Sequence, residues 1–285
     1  MLKTWLSCLC LIGSTLVLFA QTETLEPEPP TPAQRSWVNG GAETEFASSP
    51  PLSYAPVREA DILWEKRVWR VIDTREKINL PFRHPQQGLF DVLAEGLGAG
   101  EITAYSPEDD HFLARLEIDD VWDKLNQRDT VMIVDPVTFE TIPQVVYDTF
   151  DPDRIKRWRV QEVWYQDTRY SQMQVRIIGI APLLETQVSD AEGANVNFES
   201  PLFWINYNDA RNWLAQHPVA NAGNDHTRMS WEDLFSMRRF HSYIYKESDM
   251  RGRRLEDYLS DTDLLLESKK KDRAIQNREM DMWSY

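Results

Sequence analysis

Trp158-Arg-Val-Gln-Glu-Val-Trp-Tyr165, then Gln166-Asp-Thr-Arg169, then Met173-Gln-Val-Arg-Ile177 is the stretch on which the fold class turns. Its second run alternates apolar and polar side chains, the period of a strand with one buried face, and the polar tetrad between the runs suits a tight turn. Half-buried antiparallel pairing is the natural reading. Thr130 to Val134 and Pro201 to Tyr207 supply further strand-like runs, so the centre of the chain is β-rich.

Helical signals flank that centre. Pro56 suits a first helical turn, and Val57, Ala60, Trp64, Val68 and Val71 follow at helical spacing, which predicts an amphipathic helix. Its remaining positions, among them Arg58, Arg67 and Arg70, are charged. Asn79-Leu-Pro81 stops any continuation, and Gly88 to Leu97 reads as a second, short apolar helix. Glu101 to Tyr105 resembles a strand running into an acidic turn. Asp120 and Asp123 open a helix carrying Val121, Trp122 and Leu125. Asn206 to His217 forms another, closed by Pro218. Ser230 and Asp233 make a carboxylate variant of the capping box, opening a helix in which Leu234, Met237, His241 and Ile244 share a face. With no repeat of 20 to 50 residues, the expected architecture is α+β: a single mixed domain with antiparallel hairpins and several amphipathic helices.

The ends differ from the middle. Lys3 precedes an apolar run from Leu6 to Phe19 that closes in Ala20, the pattern of a cleaved secretory signal over residues 1–20. About fourteen residues fall short of the roughly twenty that a membrane-spanning helix needs. Cys8 and Cys10 lie inside that run, not after it, which argues against acylation at a lipoprotein cysteine. Their removal leaves a mature chain without cysteine or disulfide. Residues 21–53 are rich in Pro, Glu, Thr and Ser and read as a flexible tether. Within it, Trp37-Val38 and Phe46 are costly to leave in water. Residues 54–247 form the α+β domain, and 248–285 a charged tail that is either helical or ordered by a partner.

The formal charge of −15 becomes −16 once Lys3 leaves. Such a surface disfavours nucleic acid and anionic lipid, both of which select basic proteins. Protein partners and neutral glycans remain open. The sequence offers no catalytic residue, cofactor or metal site: no nucleophile elbow, no phosphate-cradling glycine loop, and histidines that are scattered. Asp109-Asp110-His111 is the one compact group of ligand types, and an acidic turn is its plainer reading. Tryptophan is abundant, with 11 residues, several beside arginine. Trp and Arg dominate interface hot spots, so Arg58, Arg67, Trp69, Arg70, Trp158 and Arg159 are the candidate contact residues. Trp64 and Trp122 are assigned to the core, whereas Trp69 and Trp158 stand open between core and partner contact.

The segment Arg58-Glu-Ala-Asp-Ile-Leu-Trp-Glu-Lys-Arg-Val-Trp-Arg-Val-Ile-Asp-Thr-Arg-Glu-Lys-Ile-Asn-Leu-Pro81 closely resembles the hallmark of the gliding-motility GldN family, called PorN in non-gliding species. Gly100 to Tyr105, Trp164-Tyr165 through Ile180-Ala-Pro182, and Pro201 to Tyr207 are similar to that family as well. The resemblance implies a non-catalytic periplasmic component of the type IX secretion system of Bacteroidetes. It implies as partners a GldK/PorK-like outer-membrane lipoprotein, further copies of the chain in a ring, and the motor shaft GldM/PorM. The family has no established catalytic residues to carry over. A glycan-binding module, marked by exposed coplanar aromatic rings, and a periplasmic hydrolase, marked by a pocket of convergent carboxylates or histidines, are the competing readings.

Overall fold

The computed structural model describes residues 50–85, 87–125, 128–134, 141–147, 150–170, 172–189, 195–220 and 229–282. The expected signal sequence and most of the tether, with Trp37 and Phe46, lie outside the described residues. In chain order the regular elements are β1 (Ile62–Asp73), α1 (Leu89–Gly98), β2 (Ala104–Tyr105), α2 (Ile118–Leu125), β3 (Arg128–Val134), β4 (Thr141–Tyr147), β5 (Ile155–Asp167), β6 (Met173–Ser189), β7 (Asn195–Pro201), β8 (Trp204–Asn206), α3 (Tyr207–Gln216), β9 (Pro218–Val219), β10 (Met229–Ser230), α4 (Trp231–Ser236), β11 (Tyr243–Glu247) and α5 (Asp261–Met282). The fold is α+β.

The hairpin expected at the centre is present and longer than its alternating core: β5 and β6 pair antiparallel from Ile155↔Leu184 to Gln166↔Met173. Around it the sheet runs β11-β1-β5-β6-β8-β2, and β7 joins the same side of β6 as β8. The pairs β9/β10 and β3/β4 form two small hairpins of their own.

Residues 62–73 are a strand, not the amphipathic helix expected from Pro56. Val68 through Ile72 are all buried, because the sheet is covered on both faces. Alternate residues serve different cores: Ile72 joins Trp158, Val160 and Ile180 beneath α1, α3 and α4, while Trp69 and Val71 join Tyr105, Ala181, Trp204 and Tyr245 on the opposite face. Such double coverage erases the period-2 signature, and the β-branched Val68, Val71 and Ile72 suit a strand.

The helix at Ser230 starts as expected. The Ser230 Oγ accepts from the Asp233 N–H at 3.0 Å and the Asp233 carboxylate accepts from the Ser230 N–H at 3.1 Å. It ends at Ser236, so His241 and Ile244 do not extend its face. Arg238 adopts φ +52°, and the Arg239 N–H donates to the Leu234 carbonyl while the Arg238 N–H donates to that of Phe235. This is a Schellman turn with arginine where glycine is usual. Ile244 instead lies in β11, and His241 is exposed at the surface.

Candidate functional site

The six candidate contact residues divide sharply. Arg58 is exposed and Arg67 half-buried. Trp69 and Trp158 are 5% and 1% exposed, so the question left open between core and contact resolves to core for both. Trp158 packs with Ile72 and Val160 under the helices, and the Trp69 ring carries the Lys246 ammonium 4.3 Å from its centroid. Trp64 and Trp122, expected in the core, are partly buried at its margin.

Arg70 and Arg159 are buried too, and each has an internal reason. The Arg70 guanidinium donates through Nε to Glu162 at 3.0 Å and also pairs with Asp272 of α5. Glu162, fully buried, accepts from Arg70, from Arg238 at 2.7 Å and from the Trp164 indole N–H at 2.9 Å. A buried charge is tolerated only when paired and hydrogen-bonded, and this carboxylate is both. Arg159 lies over the Tyr245 ring at 4.8 Å.

Two concavities bear on the enzyme and glycan readings. The first, about 180 Å³, is lined by residues including Arg83, His84, Asp91, Asp151, Asp153 and Trp158. It is smaller than the roughly 300 Å³ at which small-molecule sites begin. Its carboxylates are engaged locally: Asp151 caps the turn at Asp153, and Asp153 faces Arg83 at 3.5 Å. Burial raises the Asp91 carboxyl above its ordinary range. The second, about 480 Å³, is an open polar trough along α3 lined by Glu101, Asn208, Asp209, Asn212, Trp213 and Gln216. Trp213 is committed elsewhere, donating its indole N–H to the Val92 carbonyl at 2.8 Å and packing against His217. Among the described residues Tyr170 and Tyr258 are the exposed large aromatic rings, each beside an arginine.

Asp109, Asp110 and His111 do converge. Asp109 accepts from the His111 N–H at 2.9 Å, and Asp110 lies 3.5 Å from the Lys246 ammonium. Those contacts suit an acidic turn, its plainer reading.

The contact surface that sequence reasoning missed lies around residues 50–57, an extended strap laid across the domain. Arg211 donates to the Leu52 carbonyl at 2.7 Å, Arg176 to that of Ala55 at 2.6 Å, and Arg169 to that of Pro56 at 2.8 Å. The Tyr54 ring sits under Arg211 at 4.0 Å and Arg176 at 4.8 Å, and burial raises its phenol above the ordinary value. Arg211 is itself fixed by the buried Glu232, at 2.7 Å. Arg169, Arg176 and Arg211 lie 113, 121 and 159 residues from the strap atoms they hold, which left no local pattern to find.

The fold and surfaces define a mixed α+β domain strapped by its own amino-terminal segment and overlaid by a carboxy-terminal helix. The chain belongs to the family described as gliding motility associated protein GldN, whose model matches residues 57–284. That membership makes it a component of the gliding-motility and type IX secretion apparatus. No curated protein matches the chain.

Proposed function

We propose that this chain is a non-catalytic structural subunit of the periplasmic ring of the type IX secretion and gliding machinery, held at the outer membrane by a GldK/PorK-like lipoprotein. The observation that carries the reading is the extent of the family match, residues 57–284, which takes in every strand of the sheet as well as α5. In the smaller of the two concavities Asp151 caps the turn at Asp153 and Asp153 faces Arg83. Among the described residues no helix is long and apolar enough to cross a membrane. Arg58 and the exposed part of Arg67 are the contact candidates that retain surface.

The test is purification of the tagged chain from its native envelope in gentle detergent, followed by mass spectrometry and negative-stain microscopy. Ring-shaped particles containing a stoichiometric lipoprotein are expected. A lone monomer recovered under conditions that preserve other envelope complexes overturns the reading.

A further inference from the structure

We propose that Arg159 is a carboxylate-binding site: its guanidinium receives the side chain of an aspartate or glutamate carried by a protein partner. The contact is independent of which assembly the chain joins.

Three arginines are buried among the described residues, Arg70, Arg159 and Arg211. Two of them hold a carboxylate that is itself buried: Arg70 pairs with Glu162 at 3.0 Å and Arg211 with Glu232 at 2.7 Å. Arg159, 7% exposed, forms no ion pair among the described residues, and its Nε is enclosed without a hydrogen-bond partner. An exposed arginine can leave its neutralisation to water, whereas a buried one is costly unless paired. Arg157, two residues earlier on the same face of β5, is more exposed and still pairs with two carboxylates, Asp73 at 3.3 Å and Glu199 at 2.9 Å.

The surroundings of Arg159 hold its guanidinium in place without neutralising it. Val71 is opposite it on β1 and Ala181 on β6, and both are apolar and buried. The Tyr245 ring, 4.8 Å away, offers a quadrupole and not a charge. Burial raises the Tyr245 phenol above its ordinary value, and the carboxylates of Asp110 and Glu256 add to the shift. Asp110, however, lies 3.5 Å from the Lys246 ammonium, and neither carboxylate forms an ion pair with Arg159. Trp69 Nε1 and Gln161 Oε1, on the same face of the β1/β5 pair, are enclosed without partners as well. Those atoms are neutral and cost less to leave than a charge, so the guanidinium decides the sign of what binds.

Two features set the class of ligand. A guanidinium matches a carboxylate bidentately, and carboxylates are what Arg70 and Arg211 hold in this same domain. The 7% of Arg159 that remains exposed admits the end of a side chain, not a free molecule gripped on several sides. In the isolated chain the buried charge is therefore a burden that a partner relieves, and arginines of that kind are the ones that dominate contact energies.

The test compares thermal melts of the purified full chain and of Arg159→Met, with Arg159→Gln in reserve should the first variant not fold, in sodium chloride and in sodium formate at equal ionic strength. In chloride the wild type should melt a few degrees below the methionine variant, because an apolar side chain of similar length removes the unpaired charge. Formate should close part of that gap by binding the wild type alone. Recovered from the native envelope in gentle detergent, the tagged variant should lose a protein that accompanies the wild type. A variant that melts below the wild type in both salts, or that responds equally to formate, overturns the site. A formate response confined to the wild type, with co-purifying proteins unchanged in the variant, overturns the assignment to a protein partner. Ring particles from the wild-type chain are scored separately, so either failure leaves the ring reading standing.

Discussion

Arg70 and Glu162 are diagonal neighbours on one face of the β1/β5 pair, where Val68 is opposite Glu162 and Arg70 opposite Val160. Their Nε and Oε2 atoms are 3.0 Å apart, in a region closed to water. Removing one charge of such a pair leaves the other buried, a loss of about 3 kcal/mol or more. Glu162→Gln should therefore lower stability by about that amount in chemical denaturation, the more so because Arg238 shares the carboxylate. A change below about 1 kcal/mol would mean that Asp272 alone suffices for Arg70.

Asn79 is fully buried and ties two distant segments together. Its amide donates to the carbonyls of Asp73 and His241, both within 2.9 Å, and its oxygen accepts from the His241 N–H at 3.0 Å. Asn79→Ala strands those backbone groups and should cost about 2 to 3 kcal/mol. The entry into β11 begins at this contact, so hydrogen exchange at residues 241–244 should accelerate in the variant.

Gly179 lies in the middle of β6, between β5 and β8. A Cβ there would sit 2.4 Å from Cζ of Phe112 and 3.2 Å from the Ile205 carbonyl oxygen. Phe112, at φ +59°, is partly buried and packs edge-on to Tyr105 and Trp204, contacts that a shift of its ring would disturb. Gly179→Ala should destabilise by about 1 to 3 kcal/mol through overpacking. Combining it with Phe112→Leu should recover part of the loss, which thermal melts of the single and double variants would show.

Asp73 accepts hydrogen bonds from Arg75, and that guanidinium holds its carboxyl at about 2 against an ordinary 3.8. A depressed carboxylate stabilises the fold above the unfolded value, and the contribution is lost as pH falls through the folded one. The wild-type advantage over Asp73→Asn should thus be full above pH ~4 and disappear toward pH ~2. Denaturation of both proteins across that interval measures the difference directly. An advantage independent of pH would assign it to geometry instead.

Trp69 fills the core opposite the helices, so Trp69→Ala should cost the isolated protein about 3 to 5 kcal/mol, as large aromatic truncations do. The signature of a core role is a lowered melting temperature of the purified chain in the absence of any partner. Unchanged stability with defective assembly would return Trp69 to the contact surface.

Sequence pattern carried the central hairpin because Met173 to Ile177 keeps the alternation of a half-buried strand, and it carried α3 and α4 because Asn206 and Ser230 are explicit caps. It failed at β1. There Arg67 and Arg70 mimic the polar face of a helix, and only the partnership of Arg70 with Glu162, 92 residues away, reveals why a charge sits inside. The same distance effect hid the strap groove, since Arg169, Arg176 and Arg211 come from the end of one hairpin and from α3. Tryptophan content misled in a further way. Trp69 and Trp158 looked like contact anchors beside their arginines, yet neighbours in sequence on a strand face opposite ways, so adjacency said nothing about exposure.

The outer margin of β11 is occupied by residues from the end of the chain: Arg254 bridges to Lys246, the Ser268 hydroxyl of α5 accepts from the Ile244 N–H at 2.8 Å, and Ile275 is buried beside Val68 and Ile244. A product shortened ahead of residue 254 would retain every strand seen among the described residues and yet leave this margin ready to accept a foreign one. The segment from Arg254 through Ile275 thus separates a closed building block from one with an open sheet edge, on which another strand can pair.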